Sequence, residues 1–187
     1  MKHEIIIAGF GGQGVLSMGK ILAYAGLLDG LEVTWMPSYG PEQRGGTANV
    51  TVILSDSAIS SPVLDTFDIA VILNQQSLDK FESHVKPGGL LVYDPYGIHR
   101  KPERSDINCV PINATEASVE MGNAKAYNMI LLGALLRLCP MVSPDTVIAG
   151  LKKTLPERHH HLIPMNRQAI DRGAEIAGLC QKPIRRS

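Results

Sequence analysis

Arg44 closes the run Pro37-Ser38-Tyr39-Gly40-Pro41-Glu42-Gln43-Arg44 and is followed by Gly45-Gly46. Its planar guanidinium can grip a carboxylate or a phosphate through two parallel hydrogen bonds, which a lysine cannot do. Glu42 and Gln43 can orient that guanidinium or pair across an interface, and Tyr39 offers a flat ring with a polar tip. The alternatives are structural: Arg44 as a brace on backbone carbonyls, and Tyr39 as local packing. Three glycines and two prolines in these ten residues exclude a regular helix or a central strand. The sequence therefore predicts a loop of fixed shape from Pro37 to Gly46.

A second cluster, Gly9-Phe10-Gly11-Gly12-Gln13-Gly14, follows the apolar run Ile5-Ile6-Ile7-Ala8. Gly9, Gly11 and Gly14 satisfy G-x-G-x-x-G between a strand and a helix, a spacing that lets a ligand approach backbone amides. The positive end of the helix dipole then favours a phosphate or carboxylate. A nicotinamide-dinucleotide site also wants an acidic residue at the end of the second strand, about 20 residues on. That strand ends Val33-Thr34-Trp35-Met36-Pro37, with Glu32 at its start, and the nearest arginine for a 2′-phosphate is Arg44. Dinucleotide binding is disfavoured on that ground, while a ligand-free tight turn stays open.

Taken together, the two segments resemble the gamma subunit of the 2-oxoacid:ferredoxin oxidoreductases, where a strand runs into G-x-G-G-Q-G and a later loop reads close to Y-G-P-E-Q-R-G-G. The resemblance covers roughly the whole chain in length, order and spacing. The second loop, at this distance from the first, is its specific part. It implies a subunit without cofactors in a complex that oxidatively decarboxylates a 2-oxoacid to acyl-CoA. Thiamine diphosphate, Mg and iron–sulfur clusters would sit on partner subunits, coenzyme A would be a co-substrate, and electrons would pass to ferredoxin. It also implies a substrate or interface loop set of Gly9, Gly11, Gly12, Gln13, Gly14, Tyr39, Gly40, Pro41, Glu42, Gln43, Arg44, Gly45 and Gly46, with Asn128 at the start of a later helix near them. No catalytic residue or metal ligand is assigned to this chain. The wording Tyr39-Gly40-Pro41-Glu42 favours the 2-oxoglutarate or branched-chain branch over the indolepyruvate branch. The rival reading is a stand-alone nucleotide-binding α/β protein.

The remaining residues narrow the chemistry. His159-His160-His161 invites a metal reading, but consecutive residues on one element do not converge on an ion and no acidic or cysteine ligands accompany them. Cys109, Cys139 and Cys180 are isolated, whereas a cluster usually needs four thiolates at short spacing. Asn123 and Lys125 read as surface residues. No Gly-Asp-Gly segment is present, so the chain does not look like the thiamine-binding subunit. Formal net charge is zero, with 18 basic and 18 acidic residues, which gives no footprint for nucleic acid or a membrane surface. The expected setting is the cytoplasm, with Lys182, Arg185 and Arg186 in a solvated tail and a homodimer expected in the absence of partners.

These residues need a frame. At 187 residues and 44% hydrophobic content, one domain spanning 1–187 with a sizeable core is expected. Strands are predicted at Ile5–Ala8, Glu32–Trp35, Thr47–Leu54, Ile69–Leu73, Leu90–Tyr93 and Val110–Ile112. Helices are predicted at Val15–Leu28, Ser77–Ser83, Thr115–Met121, Tyr127–Leu138, from Ser143-Pro144 to Lys153, and Asn166–Leu179. The alternation specifies an α/β three-layer sandwich with a mainly parallel central sheet. The link from Trp35 to Thr47 is too short for a crossover helix, so an antiparallel pair there would make the sheet mixed.

Overall fold

A computed structural model describes residues 1–40 and 45–180. Pro41, Glu42, Gln43 and Arg44, and the tail carrying Lys182, Arg185 and Arg186, lie outside the described residues. One six-stranded sheet organises the chain, in the order β2-β3-β1-β4-β5-β6. The strands are β1 (Lys2–Phe10), β2 (Glu32–Tyr39), β3 (Thr47–Ser55), β4 (Phe67–Ile72), β5 (Val85–Tyr93) and β6 (Asn108–Pro111). β1, β4, β5 and β6 are parallel, while β3 runs antiparallel to both β1 and β2. The sheet is therefore mixed, with the antiparallel pair where the short link required it.

The continuous apolar strands are buried on both faces, as parallel strands must be. Ile5 and Ile7 face one core with Val50, Val52 and Val71, and Ile6 and Ala8 face the other with Ile72 and Leu91. The first core is covered by α1 (Val15–Leu28), α3 (Ala114–Glu120), α4 (Tyr127–Leu138), α5 (Pro144–Thr154) and α6 (Ile163–Cys180), and the second by α2 (Gln75–Phe81). Each fully buried leucine or isoleucine contributes about 1.5–3 kcal/mol. α4 and α6 approach closely because Gly133 lies against the backbone of Ile170 and Gly173 against that of Ile130. Ser143 caps α5 by accepting from the Thr146 N–H at 3.1 Å, with Pro144 in the first turn.

Several boundaries differ from expectation. β2 continues through Pro37, Ser38 and Tyr39, which the sequence assigned to the loop. It is an edge strand, and an edge tolerates a residue that cannot donate to a second neighbour. α6 begins at Ile163 rather than Asn166, preceded by a 3₁₀ turn over Glu157–Leu162. The chain leaves β1 toward the α1 face and leaves β4 toward α2 on the opposite face, so β1 and β4 flank a topological switch point.

Candidate functional site

Both glycine loops lie at the carboxyl end of β1 and bond to each other. Gly11 N–H donates to the Gly46 carbonyl at 2.8 Å, and Gly45 N–H donates back to the Gly11 carbonyl at 3.4 Å. Gly40 N–H donates to Thr47 O at 3.2 Å, closing the base of the β2–β3 hairpin. Between α1 and the β2–β3 ribbon lies a cavity of about 560 Å³. Residues 10–12 and 14–17 line one side, and Trp35, Pro37, Tyr39, Thr47 and Ala48 line the other. Trp35, Pro37 and Tyr39 share that face because they alternate along β2 opposite Val52, Val50 and Ala48.

The first turn of α1 gives this cavity its electrostatic character. Gly14 is the N-cap in the left-handed conformation, φ 76°, and makes no side-chain cap; the first turn holds no acidic residue. The helix's own residues thus leave its positive end uncompensated, and that end suits an anion.

Gln13 is turned the other way. Its Oε1 accepts from Phe10 N–H at 2.6 Å and its Nε2 donates to the Leu73 carbonyl at 3.3 Å. Gly9 makes room for this, since a Cβ there would lie 2.6 Å from Gln13 Oε1. From α4, Tyr127 donates its hydroxyl to the Gln13 carbonyl at 2.6 Å. Burial, with the charge of Asp94 behind it, pushes the Tyr127 phenol well up, so it stays a donor. Asn128 lies over Gly14 and accepts from Met129 N–H at 3.0 Å. The structure thus brings together Gly9, Gly11, Gly12, Gln13, Gly14, Tyr39, Gly40, Gly45, Gly46 and Asn128 at one end of the sheet.

Sequence reasoning missed Tyr127 and Trp35 as parts of this site. An amphipathic tyrosine directly before Asn128 was the available signal for the first, and strand alternation with Tyr39 for the second.

Other candidates lie elsewhere. His160 Nε2 sits 3.1 Å from the Lys152 carbonyl and 3.0 Å from that of Leu155, which makes it a cap on the end of α5. Among the described residues no three His, Cys, Asp or Glu side chains are grouped to hold a metal. Cys109 is on β6, Cys139 follows α4 near His3, and Cys180 ends α6. Burial raises the Cys109 and Cys139 thiols, which keeps them protonated. Lys125 is exposed, as expected, and Asn123, half-buried at the surface, caps a 3₁₀ turn by accepting from Lys125 N–H at 3.2 Å.

A mixed doubly wound sheet flanked by helices, with paired glycine loops beside a helix N-terminus, defines the α/β class of this chain. Residues 4–176 match the family described as pyruvate ferredoxin/flavodoxin oxidoreductase, and the chain belongs to that family. It is 38% identical over 93% of its length to the ketoisovalerate oxidoreductase subunit VorA of Methanothermobacter thermautotrophicus, but spans only 36% of that protein. With the 2-oxoglutarate synthase subunit KorC of Methanocaldococcus jannaschii it shares 35% identity over 95% of both chains. It superposes on the gamma subunit of a keto/oxoacid ferredoxin oxidoreductase from Geobacter sulfurreducens with a TM-score of 0.79, 31% identity, and 95% and 99% of the two chains covered. The 2-oxoglutarate:ferredoxin oxidoreductase of Magnetococcus marinus, solved with 2-oxoglutarate, coenzyme A and succinyl-CoA bound, gives a TM-score of 0.86 at 28% identity. All of this chain but 33% of that one is covered. No helix among the described residues is long and apolar enough to cross a membrane.

Proposed function

We propose that this chain is the gamma subunit of a 2-oxoacid:ferredoxin oxidoreductase, a complex that converts a 2-oxoacid to its acyl-CoA and passes the electrons to ferredoxin. The observation that carries this reading is the Gly11–Gly46 junction. It joins two loops distant in sequence at one end of the sheet, beside a cavity headed by a helix N-terminus. Such a cavity suits the anionic and flat parts of coenzyme A: phosphates toward the first turn of α1 and a ring against Trp35. Coenzyme A supplies the thiol that accepts the acyl group. This chain's part is to bind, orient and exclude water, and the cofactor chemistry falls to partner subunits.

The donor set supports that division. Three cysteines dispersed over β6, the end of α4 and α6 do not fit an iron–sulfur cluster. The clusters are assigned to partners on that basis, and thiamine diphosphate with its Mg because the sequence holds no Gly-Asp-Gly segment, with residues 1–187 acting as one cytoplasmic domain. Without partners the chain forms a homodimer or larger species, since Trp35, Met36 and Tyr39 are exposed along the open edge strand β2.

The favoured substrate is 2-oxoglutarate, because the KorC match extends over 95% of both chains. The higher identity to VorA, 38%, favours a branched-chain 2-oxoacid as the second reading. The test is co-expression with the other subunits encoded beside it, followed by assay of 2-oxoacid- and coenzyme A-dependent ferredoxin reduction. Turnover by the assembled complex, faster with 2-oxoglutarate than with ketoisovalerate and absent from the isolated chain, supports the reading. Dye reduction by the isolated chain, or no co-purifying subunits, refutes it.

A further inference from the structure

In a doubly wound sheet, ligands enter the crevice between the strands where chain direction switches faces, here between β1 and β4. In this protein the side-chain amide of Gln13 bridges that crevice: its Oε1 accepts from Phe10 N–H at 2.6 Å and its Nε2 donates to the Leu73 carbonyl at 3.3 Å. Of residues 10–17, Gln13 alone does not line the cavity on the other side of the loop. Its carbonyl is fixed by the Tyr127 hydroxyl at 2.6 Å, and Tyr127 is anchored at the head of the buried helix α4. The loop is therefore tied on its back to both β4 and α4, while Gly11, Gly12 and Gly14 face the cavity.

We propose that Gln13 and Tyr127 are positioning residues. They close the switch-point crevice and hold the glycine-loop amides toward the cavity, and neither touches the ligand. This rests on the reading of the cavity as the coenzyme A site.

Tyr127→Phe removes one hydroxyl. Gln13→Met keeps the length of the side chain but can pair with neither Phe10 nor Leu73. A loop released from one such hydrogen bond binds less tightly by the net worth of that bond, so Tyr127→Phe is expected to raise KM for coenzyme A about 3- to 10-fold in the assembled complex, and Gln13→Met, which breaks two bonds, at least as much. kcat at saturating coenzyme A is expected to change far less, because the reacting groups lie on other subunits. Trp35→Ala, which removes a cavity-lining side chain, is the comparison.

A raised KM in all three variants supports the proposal. If Trp35→Ala raises KM while Tyr127→Phe and Gln13→Met leave it unchanged, or lower only kcat, the positioning role is overturned and the site reading stands. If Trp35→Ala also leaves KM unchanged, the site reading itself fails. Should Gln13→Met not fold, Tyr127→Phe decides alone.

Discussion

The side-chain amide of Asn128, at the head of α4, lies directly over the Cα of Gly14, so a Cβ on residue 14 would collide with Nδ2. Gly14 also holds φ 76°, a left-handed conformation that costs an L-residue about 1–2 kcal/mol. Gly12 has φ 96°, but a Cβ there would meet nothing within 4 Å. Gly14→Ala is therefore expected to cost the backbone strain plus about 1–3 kcal/mol for displacing the amide. Gly12→Ala is expected to cost the strain alone. Urea melts of the two variants check the order, and equal losses would mean that Asn128 yields without resistance.

The contact between α4 and α6 depends on two glycines. A Cβ on Gly133 would enter the Ile170 carbonyl, and one on Gly173 would enter that of Ile130. Neither obstacle is a flexible side chain, so the helices must move apart. Alanine at either position is expected to lower stability by about 1–3 kcal/mol or more. Gly178, with its nearest obstacle 3.8 Å away at Arg137 Nε, should instead tolerate alanine or gain slightly from helix propensity. Thermal melts of the three single variants separate packing from propensity.

Glu82 ties the segment after β5 onto the end of α2. It accepts from Arg100 Nη1 at 2.7 Å and from Arg104 N–H at 3.1 Å, and is almost fully buried. Burial alone would raise its carboxyl, but the bonds from Arg100 and from the Arg104 and Glu103 amides outweigh burial and hold it below its ordinary 4.5. A depressed folded pKa means stability that is fully present above the unfolded value and lost as pH falls through the folded one. Glu82→Gln is expected to cost about 1–3 kcal/mol at pH 7. The gap between variant and wild type should narrow as pH drops below 4.5. Denaturant melts at pH 7 and in mild acid check this, and a constant gap would assign the loss to shape rather than charge.

What was legible in the sequence follows from local physics. Ile5–Ala8 and Ile69–Leu73 read as strands because strands covered on both faces need continuous apolar runs. The mixed sheet was legible from the short link between Trp35 and Thr47. The strand character of Pro37–Tyr39 was hidden because proline and glycine count as breakers unless the strand is known to be an edge. The direction of Gln13 was not legible either. Its partners, the Leu73 carbonyl and Tyr127, lie 60 and 114 residues away, and only the assembled sheet brings them to the loop.

Trp35 is the chain's one tryptophan, lines the cavity and is 38% exposed, so its fluorescence reports on that site without interference. Coenzyme A added to the isolated chain is expected to change the Trp35 emission in a saturable way. Pantetheine, which lacks the nucleotide and its phosphates, should give a weaker response, because the first turn of α1 then has no anion to hold. Raising ionic strength should weaken the coenzyme A response, since the Debye length shortens from about 10 Å at 0.1 M to about 3 Å at 1 M salt. Gly12→Val places a side chain where the cavity is open and should suppress the response, while the fold survives by circular dichroism. Equal responses to pantetheine and coenzyme A at all salt concentrations would show that the helix N-terminus plays no part in binding. No response to either compound, in the free chain and in the assembled complex, would remove this cavity from consideration as the coenzyme A site.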